Sequence, residues 1–153
     1  MVVEFRNLTT TWHDPVDTWP YEAVVTTIER GLVSDWQPVL REIRERPFGR
    51  IARYVGQYAS NPDDPRAAAF FAEALRRARA LQEEREKDQV ATRIRHALQR
   101  SGLSQAEFAR EIGTSASRLS TYLSGQVTPS AAMLLRMEHY GATNTEAVHR
   151  TTV

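Results

Sequence analysis

The chain has 153 residues, of which 41% are hydrophobic and 25% are charged, and its formal net charge is +1. This composition predicts one small globular domain or two very small ones, and the absence of cysteine excludes disulfides and thiolate metal sites. The sequence contains no apolar run of about 18 residues and no secretory layout at its beginning, so we expect a cytoplasmic protein without a membrane partner.

The N-terminal segment is irregular in pattern and rich in aromatic residues. Residues 1–18 contain many Thr, Asp and Asn, so we expect mostly irregular structure there, with a short strand at Val2, Val3 and Phe5 as the alternative. All three tryptophans lie between residues 12 and 36. We interpret them as core residues; the alternative is a protein-binding surface, because Trp and Tyr are enriched at interface hot spots.

Three short helices are predicted next, separated by glycine and proline residues that end or begin helices. Gly31 is predicted to end the first helix. Ser34 is predicted to cap the second helix, with Gln37 at the capping-box position. The three helices span about residues 20–30, 34–46 and 50–59.

A long helical pattern runs from Pro65 to Ser101. Asp64 before Pro65 predicts a cap followed by a first-turn proline. The charged block QEEREKDQ, residues 82–89, interrupts the apolar pattern and is either an exposed bridge within one helix or the seam between two helices. We place the domain boundary in this block, which separates a helical N-terminal region, 1–87, which dimerises or binds a partner, from a C-terminal region, 88–153.

The apolar stripe before the charged block has two interpretations. Its large members are ordinary core of the N-terminal region, or they form a helix that pairs with its twin in a homodimer. The stripe is too short to predict a coiled coil. Its large members are Phe70, Phe71, Leu75 and Leu81.

The stretch LSQAEFAREIGTSASRLSTYLSG, residues 103–125, predicts a helix, a sharp turn and a second helix. Ser104 and Glu107 have the spacing of a capping box. Gly113 ends the first helix in a left-handed conformation that costs glycine little, and Thr114 or Ser115 caps the second. The small side chain at Ala109 permits two steeply crossing helices to approach closely.

The second helix of this pair presents a polar outer face. Leu119 and either Tyr122 or Leu123 are predicted to face the core. Small polar side chains with one arginine suit insertion into a DNA major groove, whereas bulky apolar residues would indicate a protein partner. The outer residues are Ala116, Ser117, Arg118 and Thr121.

Residues 90–141 resemble the repressor-type helix-turn-helix family, often called the Cro/C1 or XRE family. The resemblance lies in the Leu-Ser-Gln opening, the Ala-x-x-x-Gly turn and the Ser-Gly-x-x-x-Pro-Ser exit. It implies a five-helix DNA-binding domain. Together with the helical patterns that precede it, this predicts an all-α protein in which that domain follows a small helical N-terminal domain and a long connecting helix. We identify no family resemblance for residues 1–87.

The resemblance also implies the residues that contact double-stranded DNA. Gln105 is expected beside the DNA backbone, and the start of the second helix is expected to contact bases. Ala116 stands where many members have a longer amide or basic side chain, so an alanine methyl would meet a thymine methyl instead. The predicted DNA-binding residues are Gln105, Ser115, Ala116, Ser117, Arg118, Thr121, Ser124, Gln126 and Thr128.

The charge distribution agrees with a DNA-binding C-terminal region. Residues 90–140 contain six arginines and three glutamates, whereas residues 1–40 contain two arginines and six carboxylates. The positive excess is small, which predicts a homodimer and a moderate salt dependence. No Gly-rich phosphate loop or nucleophile elbow is present, so we predict neither catalysis nor a cofactor.

Three functions fit these features. The first is an autoregulating repressor that is also the antitoxin of a toxin–antitoxin pair, its acidic residues 1–40 suiting a basic, RNA-cleaving toxin. The second is a stand-alone or phage-type repressor whose N-terminal region dimerises or senses a ligand. The third is a protein-interaction adaptor that has lost DNA binding, against which the polar outer face of the second helix argues.

Overall fold

A computed structural model describes residues 4–6 and 8–150, with side chains described as far as residue 143. Val2 and Val3, two positions of the alternative strand, lie outside the described residues. Over this part of the chain the predicted all-α class is confirmed, since every element is helical. A 3₁₀ turn at Val16–Thr18 precedes α1 (Tyr21–Arg30), α2 (Gln37–Glu45), α3 (Arg50–Ser60), α4 (Pro65–Ser101), α5 (Gln105–Ile112), α6 (Ala116–Leu123) and α7 (Ala131–Arg150).

The chain divides into two compact units, Met1–Gln82 and Glu83–Val153, and helix α4 runs through both. The division lies at the start of the charged block, five residues before the boundary that the sequence suggested. The block is an exposed part of one continuous helix rather than a seam between two. Within it Lys87 donates to Glu84 at 2.9 Å, an i,i+3 pair of the kind that supports a solvated helix.

Aromatic residues dominate the core of the N-terminal unit. Trp19 is fully buried, and its ring lies 5.0 Å from that of Phe5 and 5.4 Å from that of Trp12. The Trp19 indole donates to the Asp14 carbonyl at 2.9 Å, so its one polar group is satisfied. Trp36 packs against the edge of this core. The tryptophans therefore contribute to the core, as the first interpretation expected.

The apolar stripe of α4 is divided between the core and the surface. Phe71 and Leu75 are buried in the N-terminal core. Phe70 and Leu81 remain 46% and 51% exposed. The first pair thus fits the core interpretation, whereas the second pair leaves apolar area on the surface.

Ser34 does not cap α2, and this prediction was wrong. The helix begins at Gln37, its N-terminal flanking residue is Trp36, and no side chain caps it. Leu32 and Asp35 instead form a tight turn in which the Asp35 carboxylate accepts from the Leu32 N–H at 2.8 Å. The chain therefore enters the helix two residues later than the capping pattern suggested.

The C-terminal unit packs its helices around a small core. Over the described residues it contains four helices where the resemblance implied five, because residues from Ala131 onward form one uninterrupted helix. Gly141 lies inside that helix, where a Cβ would approach the Ala97 carbonyl oxygen to 2.7 Å. This glycine permits close packing of α7 on α4 instead of ending a helix. The buried core residues are Ile94, Ala97, Phe108, Ala109, Ile112, Leu119, Tyr122 and Met137.

Candidate nucleic-acid interface

Local features that the sequence predicted define both ends of α5 and the turn that leads into α6. The Ser104 hydroxyl accepts from the Glu107 N–H at 3.3 Å, and the Glu107 carboxylate accepts from the Ser104 N–H at 2.9 Å, so the capping box is confirmed. Gly113 adopts φ 77° and ψ 41°, the left-handed conformation expected of it. Ala109 is buried at the helix crossing. These features fix the start of α6 relative to α5.

Helix α6 presents the outer face that was predicted. Leu119 and Tyr122 are buried, and Leu123 is half-buried. Ala116, Ser117 and Arg118 are exposed on its first turn. This face is polar and uncrowded, as insertion into a groove requires.

Arg118 differs from Arg93, Arg95 and Arg136 of this unit, whose guanidinium groups have partners within the fold. Over the described part of the chain, the structure gives the Arg118 guanidinium no hydrogen-bond or ion-pair partner, and the side chain is exposed. Its backbone N–H donates to the Ser115 hydroxyl at 3.2 Å, which places it in the capped first turn. A long cationic fork on a rigid helix start is therefore available to a ligand.

The hydroxyl groups of α6 are partly engaged within the helix. Ser115 is the N-cap, and its hydroxyl also lies 3.2 Å from that of Ser117. Thr121 is half-buried and donates to the Arg118 carbonyl at 2.8 Å. Because the Thr121 proton is used inside the helix, this hydroxyl is better suited to accept than to donate.

Gln105 lies beside the start of α6 as the first residue of α5. Its side-chain amide donates to the Ala116 carbonyl at 3.3 Å. The residue is exposed, so its remaining polar groups face solvent. Gln105 thus connects the first turns of the two helices.

The segment after α6 brings the other predicted residues next to the helix end. Ser124 donates its hydroxyl to the Thr121 carbonyl at 3.1 Å, and Gln126 donates its backbone N–H to the Ser124 hydroxyl at 3.4 Å. Thr128 is exposed in the same segment. Ser130 then caps α7 by accepting from the Met133 N–H at 3.2 Å. The loop offers exposed hydroxyl and amide groups beside α6.

Two arginines that the sequence analysis did not single out hold the ends of the helix pair. Arg136 donates to the Ile112 carbonyl at 3.0 Å, at the end of α5. Arg95 donates to the Leu123 carbonyl at 2.7 Å, at the end of α6. Both contacts join residues more than 20 positions apart, so no local sequence pattern predicts them.

A further arginine is used within the fold. Arg93 forms a bidentate pair with Glu138 at 2.6 and 2.8 Å, which lowers the pKa of the Glu138 carboxyl. The Ser104 hydroxyl and N–H likewise lower the pKa of Glu107. The predicted positive excess of this unit is therefore largely committed to internal contacts, and Arg118 carries the free charge of the α6 face.

The tertiary arrangement agrees with a comparison to known families. Residues 94–144, about a third of the chain, match the helix-turn-helix family model. The C-terminal unit contains a helix-turn-helix domain of the Cro/C1 type. This match supports a DNA-binding transcription regulator, and the matched family is not an enzyme family. The N-terminal unit has no family match, and neither the curated proteins nor the solved structures gave a match.

Two further observations concern other classes of site. No helix over the described residues has the length and apolar character needed to cross a membrane. Within the same part of the chain, no cluster of three or more His, Asp or Glu side chains is arranged to hold a metal ion.

Proposed function

We propose that this protein is a sequence-specific repressor of its own gene that binds DNA in the cytoplasm as a homodimer. The observation that carries the proposal is the exposed first turn of α6, where Arg118 has no internal partner over the described residues. In a helix-turn-helix protein the start of the second helix enters the major groove. Each subunit would contact one half-site, with half-sites about one helical turn apart.

The proposed contacts follow from what each side chain has available. Arg118 would pair with guanine O6 and N7, and the Ala116 methyl would contact a thymine methyl. Ser117 and Thr121 would make shorter contacts nearby. The contacts to phosphate would come from Gln105, Ser115, Ser124, Gln126 and Thr128, whose polar groups surround α6.

The C-terminal unit has few arginine side chains left to contact phosphate, which supports binding as a dimer. A protein that neutralises few phosphates gains little from counterion release, so one domain alone would bind weakly. Arg93, Arg95 and Arg136 are engaged inside the C-terminal unit. Two copies on one operator double the contacts without any new residue.

The experiment is a fluorescence-anisotropy titration of DNA from upstream of the protein's gene, with scrambled DNA as competitor at fixed salt. Arg118→Ala should weaken binding to the upstream DNA by about 1–3 kcal/mol and relax its sequence preference. Arg110→Ala is the matched control, because it removes the same charge from an exposed site on α5. If Arg118→Ala lowers the affinity for upstream and scrambled DNA equally, Arg118 contacts phosphate and does not contact a base.

An antitoxin activity is the second candidate, and exposed apolar residues of the N-terminal unit favour it. Leu32 and Val33 are 61% and 63% exposed, and the exposed ring of Phe70 lies 5.3 Å from that of Trp36. Such side chains suit a protein partner. Co-expression with the product of the adjacent gene tests it: relief of growth arrest by the wild type but not by Phe70→Ser is the expected outcome.

The acidic residues of the N-terminal unit support the antitoxin proposal less than the sequence suggested. Residues 1–82 contain eleven arginines and eleven carboxylates. Asp17 pairs with Arg46 at 3.3 Å, and Asp35 is buried. The acidic residues 1–40 are thus balanced within their own unit, so we expect a toxin partner to be recognised through apolar contacts.

A further inference from the structure

The carbonyl groups at the end of α6 are all hydrogen-bonded, but not in the same way. The last four carbonyls of a helix have no donor within it and need other partners. Three of them accept from backbone N–H groups of the following segment: Ser120 O from Ser124, Thr121 O from Val127 and Tyr122 O from Gly125, at 3.1, 3.2 and 3.2 Å.

The fourth carbonyl, that of Leu123, receives its hydrogen bond from a different helix. Arg95 of α4 donates Nη1 to it at 2.7 Å, and Nη2 of the same guanidinium donates to the Thr92 hydroxyl at 2.9 Å. A cation at a helix C-terminus is also favoured by the helix dipole. The guanidinium is thus held at two points, one on its own helix and one on the last residue of α6.

We propose that Arg95 is a positioning residue for DNA recognition, which sets the orientation of α6 through its carboxyl end. The opposite end of α6 is held by Gln105 of α5 through the Ala116 carbonyl. Polar side chains of two different helices therefore hold the two ends of the helix that carries Arg118. A small tilt of α6 would move the Arg118 fork away from a base edge, where bidentate pairing requires fixed geometry.

This inference rests on the proposed function, because it assigns Arg95 an effect on base selection. An electrostatic role and a positioning role of Arg95 predict different effects on DNA binding. A merely electrostatic Arg95 would strengthen binding to every DNA sequence equally. A positioning Arg95 contributes to the ratio between upstream and scrambled DNA, because only base contacts depend on the orientation of α6.

The test compares Arg95→Gln with Arg93→Gln, which removes the same charge two residues away but breaks the Glu138 pair instead. For the full-length protein, Arg95→Gln should lower the ratio of affinities for upstream and scrambled DNA about tenfold, the effect of losing one charged hydrogen bond. Arg93→Gln should leave the ratio unchanged. Equal losses of Arg95→Gln on both DNAs, matching those of Arg93→Gln, would overturn the proposal.

Two more variants separate charge from geometry. Thr92→Val keeps the cation and removes its second anchor, so the affinity ratio should fall to an intermediate value. Arg95→Lys keeps the charge and one donor, and should recover part of the ratio lost in Arg95→Gln. Two results together would contradict positioning by these hydrogen bonds. Thr92→Val would keep the wild-type affinity ratio, and Arg95→Lys would recover none of the ratio lost in Arg95→Gln.

Amide hydrogen exchange tests the contact without DNA and so distinguishes it from the proposed function. The N–H groups of Ser124 and Gly125 bond to the Ser120 and Tyr122 carbonyls in the last turn of α6. They should exchange about tenfold faster in Arg95→Gln than in Arg93→Gln. Unchanged exchange would overturn the proposal even if DNA binding falls. If the wild type shows no preference for upstream DNA while exchange accelerates as expected, the proposed function fails and the structural role of Arg95 remains supported.

Discussion

The two units of this chain define their helices by different means. In the C-terminal unit, α5 and α6 begin at serine residues whose side chains accept from the first turn. In the N-terminal unit the Asp64 side chain caps the start of α4, but α1, α2 and α3 have no side-chain cap. Their positions depend on burial against aromatic residues such as Trp19. Local hydrogen bonds are visible in a sequence, whereas burial depends on distant residues, so the C-terminal unit is the more recognisable of the two.

The outer face of α6 also differs from the surface of the N-terminal unit. The exposed part of α6 consists of small and polar side chains with one free arginine, over the described residues. The N-terminal unit exposes Leu32, Val33 and Phe70. A polar helix face suits a DNA groove, and exposed apolar side chains suit a protein partner. One chain thus presents two kinds of surface.

The largest effect should come from the aromatic core. Trp19→Ala should lower the free energy of unfolding of the N-terminal unit by about 3–5 kcal/mol, because it leaves a cavity and an unpaired Asp14 carbonyl. Urea unfolding followed by tryptophan fluorescence measures this, since all tryptophans lie in that unit. Trp19→Phe is the control and should lose less. A loss below about 1 kcal/mol would break the contrast between the two units.

Two serine substitutions, with effects of intermediate size on stability, test whether side-chain caps distinguish the two units. Ser104→Ala should lower the free energy of unfolding by about 1 kcal/mol, because it removes the confirmed cap of α5. Ser34→Ala should change it by no more than about 0.5 kcal/mol, because Ser34 caps nothing. Urea unfolding followed by far-ultraviolet circular dichroism measures both. Equal effects would show that the serine contacts do not distinguish the units.

The smallest effect concerns pH. Arg93 lowers the pKa of Glu138 in the folded protein below its ordinary value of 4.5. Its stabilisation is therefore present above the unfolded pKa and is lost as pH falls through the folded pKa. Glu138→Gln should lower the Tm slightly at about pH 7, and this difference should shrink as the pH falls below the ordinary carboxyl pKa of 4.5. A Tm difference that persists in acid would assign the effect to packing.

The comparison also explains which sequence predictions succeeded. The capping box at Ser104, the left-handed Gly113 and the Asp64 cap of α4 were confirmed, and each involves residues within three or four positions. The Ser34 cap was wrong because the Leu32–Asp35 turn and Pro38 delay the start of α2. A capping pattern shows that a residue is able to cap a helix, but competing contacts in the folded chain determine whether the cap forms.

Residues close together in the chain were enough to predict the helix-turn-helix and the composition of its outer face, because helix ends and helical faces follow from local sequence. How the arginines are used depends instead on the packing of the helices. Arg95 and Arg136 meet carbonyls 28 and 24 positions away, and such pairings depend on how helices pack. The same packing decided that Phe71 is buried and that Phe70 is exposed, although both belong to one apolar stripe.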